Sequence, residues 1–208
     1  MSVKNFYSHI ASWYDLGLWL NGYRGAVKYI AGKLPFHTTD SLHVLDAGCG
    51  TGLYSIAILE KFPKSQVVAF DLNGEMAEKM RKNLARYGLE DRTTVFVGDV
   101  LGPISGNERS FDLVVTGGVL EYVDIQRAVR NLAQYVTAGG YFLNSPVKNN
   151  WLGSAIGKWM GFKPYSAEEN ISAFARNGFE LQKTIAIPGR YFPICLVKTA
   201  HLFRYNQA

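Results

Sequence analysis

Three glycines at alternate positions, Gly48, Gly50 and Gly52, form the segment with the clearest chemical potential. They follow an apolar run that ends at Asp46, in the sequence VLDAGCGTG, and a helix-like pattern comes directly after them. Glycines at the carboxyl end of a parallel strand let the backbone approach a ligand, because no Cβ stands in the way. Leu53 occupies the place of the third glycine in the dinucleotide pattern Gly-x-Gly-x-x-Gly. The loop therefore predicts a ligand site that does not require a pyrophosphate.

Two acidic residues follow the next two apolar runs. Asp71 comes 21 positions after Gly50, where a carboxylate can accept hydrogen bonds from both hydroxyls of a ribose. Asp99 follows the third run, in the sequence VFVGDV, where a carboxylate can accept a hydrogen bond from the exocyclic amine of an adenine. One glycine loop and two acids at successive strand ends predict a site for an adenosine without a long phosphate tail.

Short apolar runs alternate with helix-like stretches through the middle of the chain, which predicts a parallel sheet covered by helices on both faces. The predicted strands are residues 42–46, 66–71, 93–98, 111–116 and 141–145. The predicted helices between them are residues 53–62, 74–87 and 119–136.

The pattern changes after residue 150. Residues 151–165 are rich in Gly and Trp and fit either a helix or a mobile lid, since glycines lower helix stability. Ser166 and Glu169 form a capping-box pattern that predicts a helix to about Arg176, ended by Gly178. Residues 179–187 and 192–200, joined through Pro188-Gly189, predict an antiparallel pair at a sheet edge.

The sequence resembles the class I S-adenosylmethionine-dependent methyltransferases. The resemblance rests on five segments: VLDAGCGTG at 44–52, VVAFDLN at 67–73, VFVGDV at 95–100, FDLVVTGGVLEYV at 111–123 and AGGYFLNSP at 138–146. It implies an α/β fold with a doubly wound, mostly parallel seven-stranded sheet, strand order 3-2-1-4-5-7-6, an antiparallel seventh strand and helices on both faces. It also implies S-adenosyl-L-methionine as the cofactor and S-adenosyl-L-homocysteine as its product.

The resemblance further implies which residues contact the cofactor. Asp46, Gly48, Cys49 and Gly50 line its methionine and ribose end, Asp71 with Leu72 holds the ribose, Asp99 with Val100 holds the adenine, and Thr116 with Gly117 lies beside the methionine group. The opening segment, Phe6-Tyr7-x-x-Ile10-Ala11-x-x-Tyr14-Asp15, is similar to that of the ubiquinone and menaquinone biosynthesis methyltransferases, and Tyr14 is expected near the cofactor. Tyr7, His9, Tyr14 and Glu121 are the candidates for a catalytic base.

The two flanks of the chain bear on the acceptor. Residues 42–150 contain 10 of the 28 aromatic residues, so the shorter flanks contain 18, including all four tryptophans. This distribution predicts either an aromatic lid over a partly apolar acceptor or aromatic packing of the flanks against the sheet. The Trp and Lys composition of residues 151–165 also fits a transient contact with a membrane surface.

Composition sets the remaining expectations. A length of 208 residues predicts a single domain over residues 1–208, with an N-terminal helical lid (1–41), a cofactor-binding core (42–150) and an acceptor-side part (151–208). The early polar residues and the two distant cysteines, Cys49 and Cys195, favour a cytoplasmic location and no metal site. The oligomeric state stays open.

The sequence thus predicts methyl transfer to oxygen or carbon of a small, partly apolar or aromatic acceptor. The net charge of +5 keeps an RNA or protein acceptor as the alternative, and a catalytically silent partner subunit is a third interpretation. Residues 116–119 read Thr-Gly-Gly-Val, whereas enzymes of this fold that methylate amino groups of nucleic acids carry Asn/Asp-Pro-Pro-Tyr/Phe. Nucleic acid is therefore not the expected partner.

Overall fold

A single seven-stranded sheet organises the described part of the protein. The computed structural model describes residues 22–104 and 110–206. The strand order is β3-β2-β1-β4-β5-β7-β6, with β7 antiparallel to both of its neighbours. The strands are β1 His43–Ala47, β2 Gln66–Asp71, β3 Thr93–Val97, β4 Phe111–Thr116, β5 Val136–Asn144, β6 Phe179–Ala186 and β7 Thr199–Tyr205. This topology confirms the predicted fold class.

Seven α-helices accompany the sheet within these residues. They are α1 Tyr23–Ala31, α2 Leu53–Lys61, α3 Gly74–Tyr87, α4 Ile125–Ala133, α5 Trp151–Met160, α6 Ala167–Ala175 and α7 Ile194–Val197. No helix in the described ranges is long and apolar enough to cross a membrane.

Both faces of the sheet are buried, as continuous apolar strands predict. Successive strand residues enter different cores: Val44 packs with α1, α2 and α3, whereas Leu45 packs with α4 and α6. Leu143 and Phe142 of β5 divide between the two cores in the same way. The central strands are therefore fixed from both sides, and their carboxyl ends are held in a constant arrangement.

The helix predicted over residues 119–136 is wrong in its bounds. A short 3-10 turn covers Leu120–Tyr122, and α4 begins only after Asp124, whose carboxylate accepts a hydrogen bond from Arg127 N at 2.9 Å. The following strand begins at Val136 and not at residue 141, since the β4–β5 register shifts where Gly139 adopts a φ of 73°. The glycines that were expected to end a helix instead allow an irregular strand.

The final strand is also displaced from its prediction. Residues 194–197 form the short helix α7, and β7 runs from Thr199 to Tyr205. The antiparallel pairing of the last two strands is confirmed, but a 12-residue connection separates them. Of the two, only β6 lies at a sheet edge, because β7 pairs with β5 on its other side. Thr199–Tyr205 form the strand because Leu202 and Phe203 are buried in the two cores, one on each face of the sheet.

The Gly- and Trp-rich segment forms a helix over Trp151–Met160, which is the first of the two structures predicted for residues 151–165. Asn150 caps α5 by accepting a hydrogen bond from Gly153 N at 2.8 Å, and Gly161 ends the helix in the left-handed conformation. Gly157 fits closely, since a Cβ there would lie 2.6 Å from Phe162 O. The next helix begins with the predicted capping box of Ser166 and Glu169. The glycines of α5 thus face the neighbouring backbone of their own segment.

Candidate functional site

A cavity of about 220 Å³ opens where β1, β2, β3 and β4 end. Eight of the residues expected from the sequence to contact a cofactor line it: Gly48, Cys49, Gly50, Asp71, Leu72, Asp99, Val100 and Gly117. Although these residues are spread over 70 positions of the chain, the parallel strands bring them to one edge of the sheet.

Backbone hydrogen bonds hold the glycine loop after β1. The N–H groups of Gly48 and Cys49 both donate to Phe70 O, at 2.8 and 2.9 Å. Gly48 has a φ of 74° and packs so closely against Val119 that a side chain there would collide with it. Gly50 also has a positive φ, of 54°, yet a Cβ on it would meet no protein atom within 4 Å. The first glycine is required by packing, whereas the second leaves space beside the cavity.

Asp71 connects this loop to the end of β2. Its Oδ2 accepts a hydrogen bond from Gly50 N at 2.8 Å, and its Oδ1 accepts one from Asn73 N at 2.9 Å. Burial raises the pKa of Asp71, while the two backbone donors act in the opposite direction. Each carboxylate oxygen retains a second acceptor position, because an ionised carboxylate has about four lone-pair sites. Asp71 can therefore shape the loop and receive ligand hydroxyls at once.

Asp99 lies at the third strand end and has a simpler environment. Its Oδ1 accepts a hydrogen bond from Leu101 N at 2.9 Å, which fixes the carboxylate beside Val100. Leu72, on the neighbouring strand end, is 56% exposed and lines the same cavity. A carboxylate next to exposed apolar surface is suited to a planar base with an exocyclic amine.

Asp46 and Thr116 lie behind the cavity lining. Asp46 is buried, and its Oδ2 accepts hydrogen bonds from Ser55 Oγ at 2.6 Å and Ser55 N at 3.2 Å. Thr116 is buried and donates to Asn144 Oδ1 at 3.0 Å. Asp46 therefore ties the end of β1 to the first turn of α2, and Thr116 ties the end of β4 to the end of β5.

Burial raises the pKa of Asp46 to about 6, from an ordinary value of 3.8. Because the pKa is higher in the folded state, this carboxyl stabilises the fold fully below pH 3.8, and its contribution is lost as the pH rises through 6. We expect the unfolding free energy of Asp46→Asn to equal that of the native protein at pH 4. At pH 7 the variant should be the more stable of the two, by at most about 3 kcal/mol. Urea denaturation across this range checks the prediction, and equal differences at both pH values would contradict it.

Cys49 is a poor nucleophile in this position. It is buried, and burial raises the pKa of its thiol well above the ordinary value, with Asp46 and Asp71 adding to the shift. A neutral thiol reacts weakly, since the thiolate is the nucleophilic form. The residue serves as a small buried part of the loop.

The other end of the cavity is formed by residues that the sequence did not identify. Tyr54 and Tyr23 line it together with Val119 and Tyr122. Tyr54 packs so closely on Gly117 that a Cβ there would lie 2.5 Å from its Cε2. The position of Tyr54, two residues after the glycine loop, is the one signal that could have indicated it.

Over the residues it describes, the structure does not place any of the four candidate bases at the cavity. Tyr7, His9 and Tyr14 lie outside the described residues. Glu121 is buried and does not line the cavity; its Oε1 accepts a hydrogen bond from Val147 N, and its Oε2 has no partner among the described residues.

The family model and the relatives that match this chain are described as methyltransferases. Residues 44–140 match the family model described as "Methyltransferase domain". One relative is the demethylmenaquinone methyltransferase of Leptospira interrogans, 31% identical over 53% of this chain and 46% of its own length. Another is the ribosomal protein uL3 glutamine methyltransferase of Bradyrhizobium diazoefficiens, 33% identical over 46% of this chain and 29% of its own length. The chain thus spans less than half the length of either relative.

A solved structure shows the same fold. The geranyl diphosphate C-methyltransferase of Streptomyces coelicolor, in complex with S-adenosyl-L-homocysteine, has a TM-score of 0.70 and 14% identity, covering 86% of this chain and 74% of its own. Other structural neighbours include O-methyltransferases. These neighbours therefore differ in the atom that receives the methyl group.

Proposed function

Because the chain belongs to the class I S-adenosylmethionine-dependent methyltransferases, we propose that its cavity holds the cofactor and that the methyl group passes to oxygen or carbon of a small, partly apolar or aromatic acceptor. The observation that supports this most strongly is the grouping of Gly50, Asp71 and Asp99 around one cavity, at three successive strand ends. The family uses S-adenosylmethionine.

The residues of the cavity fit an adenosine. Asp71 has acceptor positions left for two ribose hydroxyls after binding Gly50 N and Asn73 N. Asp99 with Val100 receives the adenine, and the space beside Gly50 accommodates a ligand where a side chain would compete with it. In this proposal Gly48, Cys49 and Gly117 lie toward the methionine group, and Asp46 and Thr116 act from behind. Tyr14 keeps its expected role outside the described residues.

Bound S-adenosylmethionine supplies a methyl group that is already electrophilic because of its sulfonium. The work of the protein is then to align the acceptor with that methyl and to exclude water. Tyr54, Val119 and Tyr122 provide a rigid, largely apolar wall at the end of the cavity, next to Gly117. A base is required only where the acceptor retains its proton.

The aromatic wall also supports a small acceptor over a macromolecule. Tyr23, Tyr54 and Tyr122 line the cavity, and planar or apolar groups pack well on such surfaces. The net charge of +5 and the relative that methylates a ribosomal protein favour the alternative, an RNA or protein acceptor.

Label transfer from S-adenosylmethionine tests the two acceptor classes directly. The protein is incubated with methyl-labelled cofactor in three separate reactions, which contain a small-molecule extract, total RNA or total protein. We expect the label in a low-molecular-weight product whose mass spectrum places it on oxygen or carbon. Label only in RNA or protein would replace the small acceptor, and no label in any fraction would favour the silent partner subunit.

We further propose that the outer face of α5 makes transient contact with an anionic membrane surface. Trp151 and Trp159 are 81% and 66% exposed on one side of this helix. Phe192 and Leu196 are exposed nearby, and Asn150 Nδ2 donates to Leu196 O at 2.9 Å, which joins the two segments. Residues 147–165 and 187–198 contain no Asp or Glu, and three exposed cations, Lys158, Lys163 and Arg190, lie within them. Exposed tryptophans among cations are typical of surfaces that bind anionic lipid.

Vesicle sedimentation tests this surface. The double variant Trp151→Ala/Trp159→Ala should lose at least about tenfold in affinity for phosphatidylglycerol-containing vesicles, while Tyr87→Ala, on a different helix, should not. Pure phosphatidylcholine vesicles should bind more weakly than mixed ones. Unchanged binding of the double variant would contradict the proposal, as would a dimer that the two substitutions dissociate, since a second copy would then occupy the face.

A further inference from the structure

Lys198 reaches the end of the cavity from a distant part of the chain. It directly precedes β7, and its ammonium group lies so close to the cavity wall that a Cβ on Gly118 would be 2.7 Å from Nζ. Nζ also lies 6.0 Å from the centroid of the Tyr23 ring. Gly118 and Tyr23 both line the cavity, and Lys198 Nζ lies behind them, so this end of the cavity has a positive potential.

The charge of Lys198 is only partly satisfied by the protein. Nζ donates to Ser145 O at 3.0 Å, which uses one of its three protons. Within the described ranges no carboxylate lies within 4.0 Å of Nζ, and Glu121 instead binds Val147 N. A half-buried ammonium with a single carbonyl partner is costly unless another group compensates for it.

Tyr54 supplies a second unsatisfied group at the same end. Its hydroxyl is buried with Ser145 and Tyr23 as its polar neighbours, and neither of them is in good hydrogen-bonding geometry with it. Burial raises the pKa of Tyr54 well above its ordinary value, Tyr23 adds to this, and Lys198 opposes it. The hydroxyl is therefore protonated and can donate, and a buried donor left unpaired carries a penalty.

We propose that the charge of Lys198, with Tyr54 and Tyr23 between it and the cavity, selects an acceptor that carries a singly charged oxygen anion, a carboxylate or an ionised hydroxyl, at this end. The inference rests on the proposed function, because it assigns the anion to the methyl acceptor. Two acids, Asp71 and Asp99, lie at the β2 and β3 side of the cavity, whereas this cation reaches it from the β5 and β7 side. The opposite charges orient an adenosine to one side and an anion to the other.

The methionine carboxylate of the cofactor is the other source of the same chemistry, so the experiment has two arms. In the first, 4-hydroxybenzoate and 4-hydroxybenzamide are titrated into protein saturated with S-adenosyl-L-homocysteine. We expect the native protein to bind the benzoate at least about tenfold more tightly, because opposite charges attract strongly in a partly buried site. Lys198→Met should abolish this preference, Tyr54→Phe should reduce it, and Lys198→Arg should retain most of it.

Lys183→Met is the matched control, since Lys183 is exposed on β6. It should leave the preference unchanged, and melting curves check that each variant is folded. Equal binding of benzoate and benzamide by the native protein would overturn the proposal. Retention of the full preference in Lys198→Met would overturn it as well.

The second arm compares S-adenosyl-L-homocysteine with 5′-methylthioadenosine, which lacks the carboxylate. We expect Lys198→Met to change the ratio of the two affinities by less than about threefold, because the cation acts on the acceptor. Collapse of this ratio in the variant would assign Lys198 to the cofactor and overturn the acceptor site. Failure of the native protein to bind either nucleoside would instead contradict the proposed function, so the two failures are distinguishable.

Discussion

Asp71→Ala is expected to weaken the binding of S-adenosyl-L-homocysteine by at least about 100-fold, because it removes a charged acceptor for two hydroxyls at about 1.5 to 3 kcal/mol each. The same change releases Gly50 N, which donates to Asp71 Oδ2 at 2.8 Å, so the loop loses a constraint as well. Isothermal titration calorimetry measures the affinity, and a melting curve without ligand measures the cost to the fold.

Two further variants separate these effects. Asp71→Asn keeps one acceptor oxygen and should fall between the native protein and Asp71→Ala. Asp91→Ala removes an exposed acid outside the cavity and should bind like the native protein. An affinity of Asp71→Ala within about threefold of native would remove Asp71 from the site.

Gly50→Ala is expected to lower mainly the affinity for the cofactor, whereas Gly48→Ala is expected to lower the stability of the fold as well. A methyl group on Gly50 meets no protein atom within 4 Å, so the fold should lose only the roughly 1 to 2 kcal/mol of left-handed backbone strain. The residue lines the cavity, however, and the methyl group should lower cofactor affinity by at least about 100-fold by competing for the space of the ligand. Gly48→Ala adds a collision with Val119 to the same strain and should destabilise the fold more.

Melting temperature and calorimetric titration on the two variants check this pair. The native protein should be the most stable, Gly50→Ala less stable and Gly48→Ala the least stable. Both variants should bind the cofactor weakly. Native-like affinity of a stable Gly50→Ala protein would show that the ligand does not approach this loop closely.

The loop, Asp71 and Asp99 could be predicted because each belongs to a short segment that combines an apolar strand with its own terminal residue. The second role of Asp71 could not be predicted, since its partner Gly50 N is 21 positions away and the contact depends on the β1–β2 register. The place of Lys198 could not be predicted either, because only the pairing of β7 with β5 brings this residue beside the cavity.

The sheet order was predictable from the family resemblance, whereas two boundaries were not. The run from 192 to 200 is apolar enough for a strand, yet Leu202 and Phe203 bury more completely and determine the pairing of β7. At 136–140 the glycines suggested a helix end, but Val136 pairs with Phe111 and Gly139 accommodates the irregularity by its positive φ. In both cases tertiary packing overrode the local pattern.

The cavity is expected to bind an adenosine cofactor that has no pyrophosphate. Calorimetric titration of the native protein with S-adenosyl-L-homocysteine and, in parallel, with NAD measures this specificity. We predict saturable, one-to-one binding of S-adenosyl-L-homocysteine and no measurable heat from NAD, because Leu53 replaces the third glycine of the dinucleotide pattern. Binding of NAD without binding of S-adenosyl-L-homocysteine would show that the cavity is a dinucleotide site.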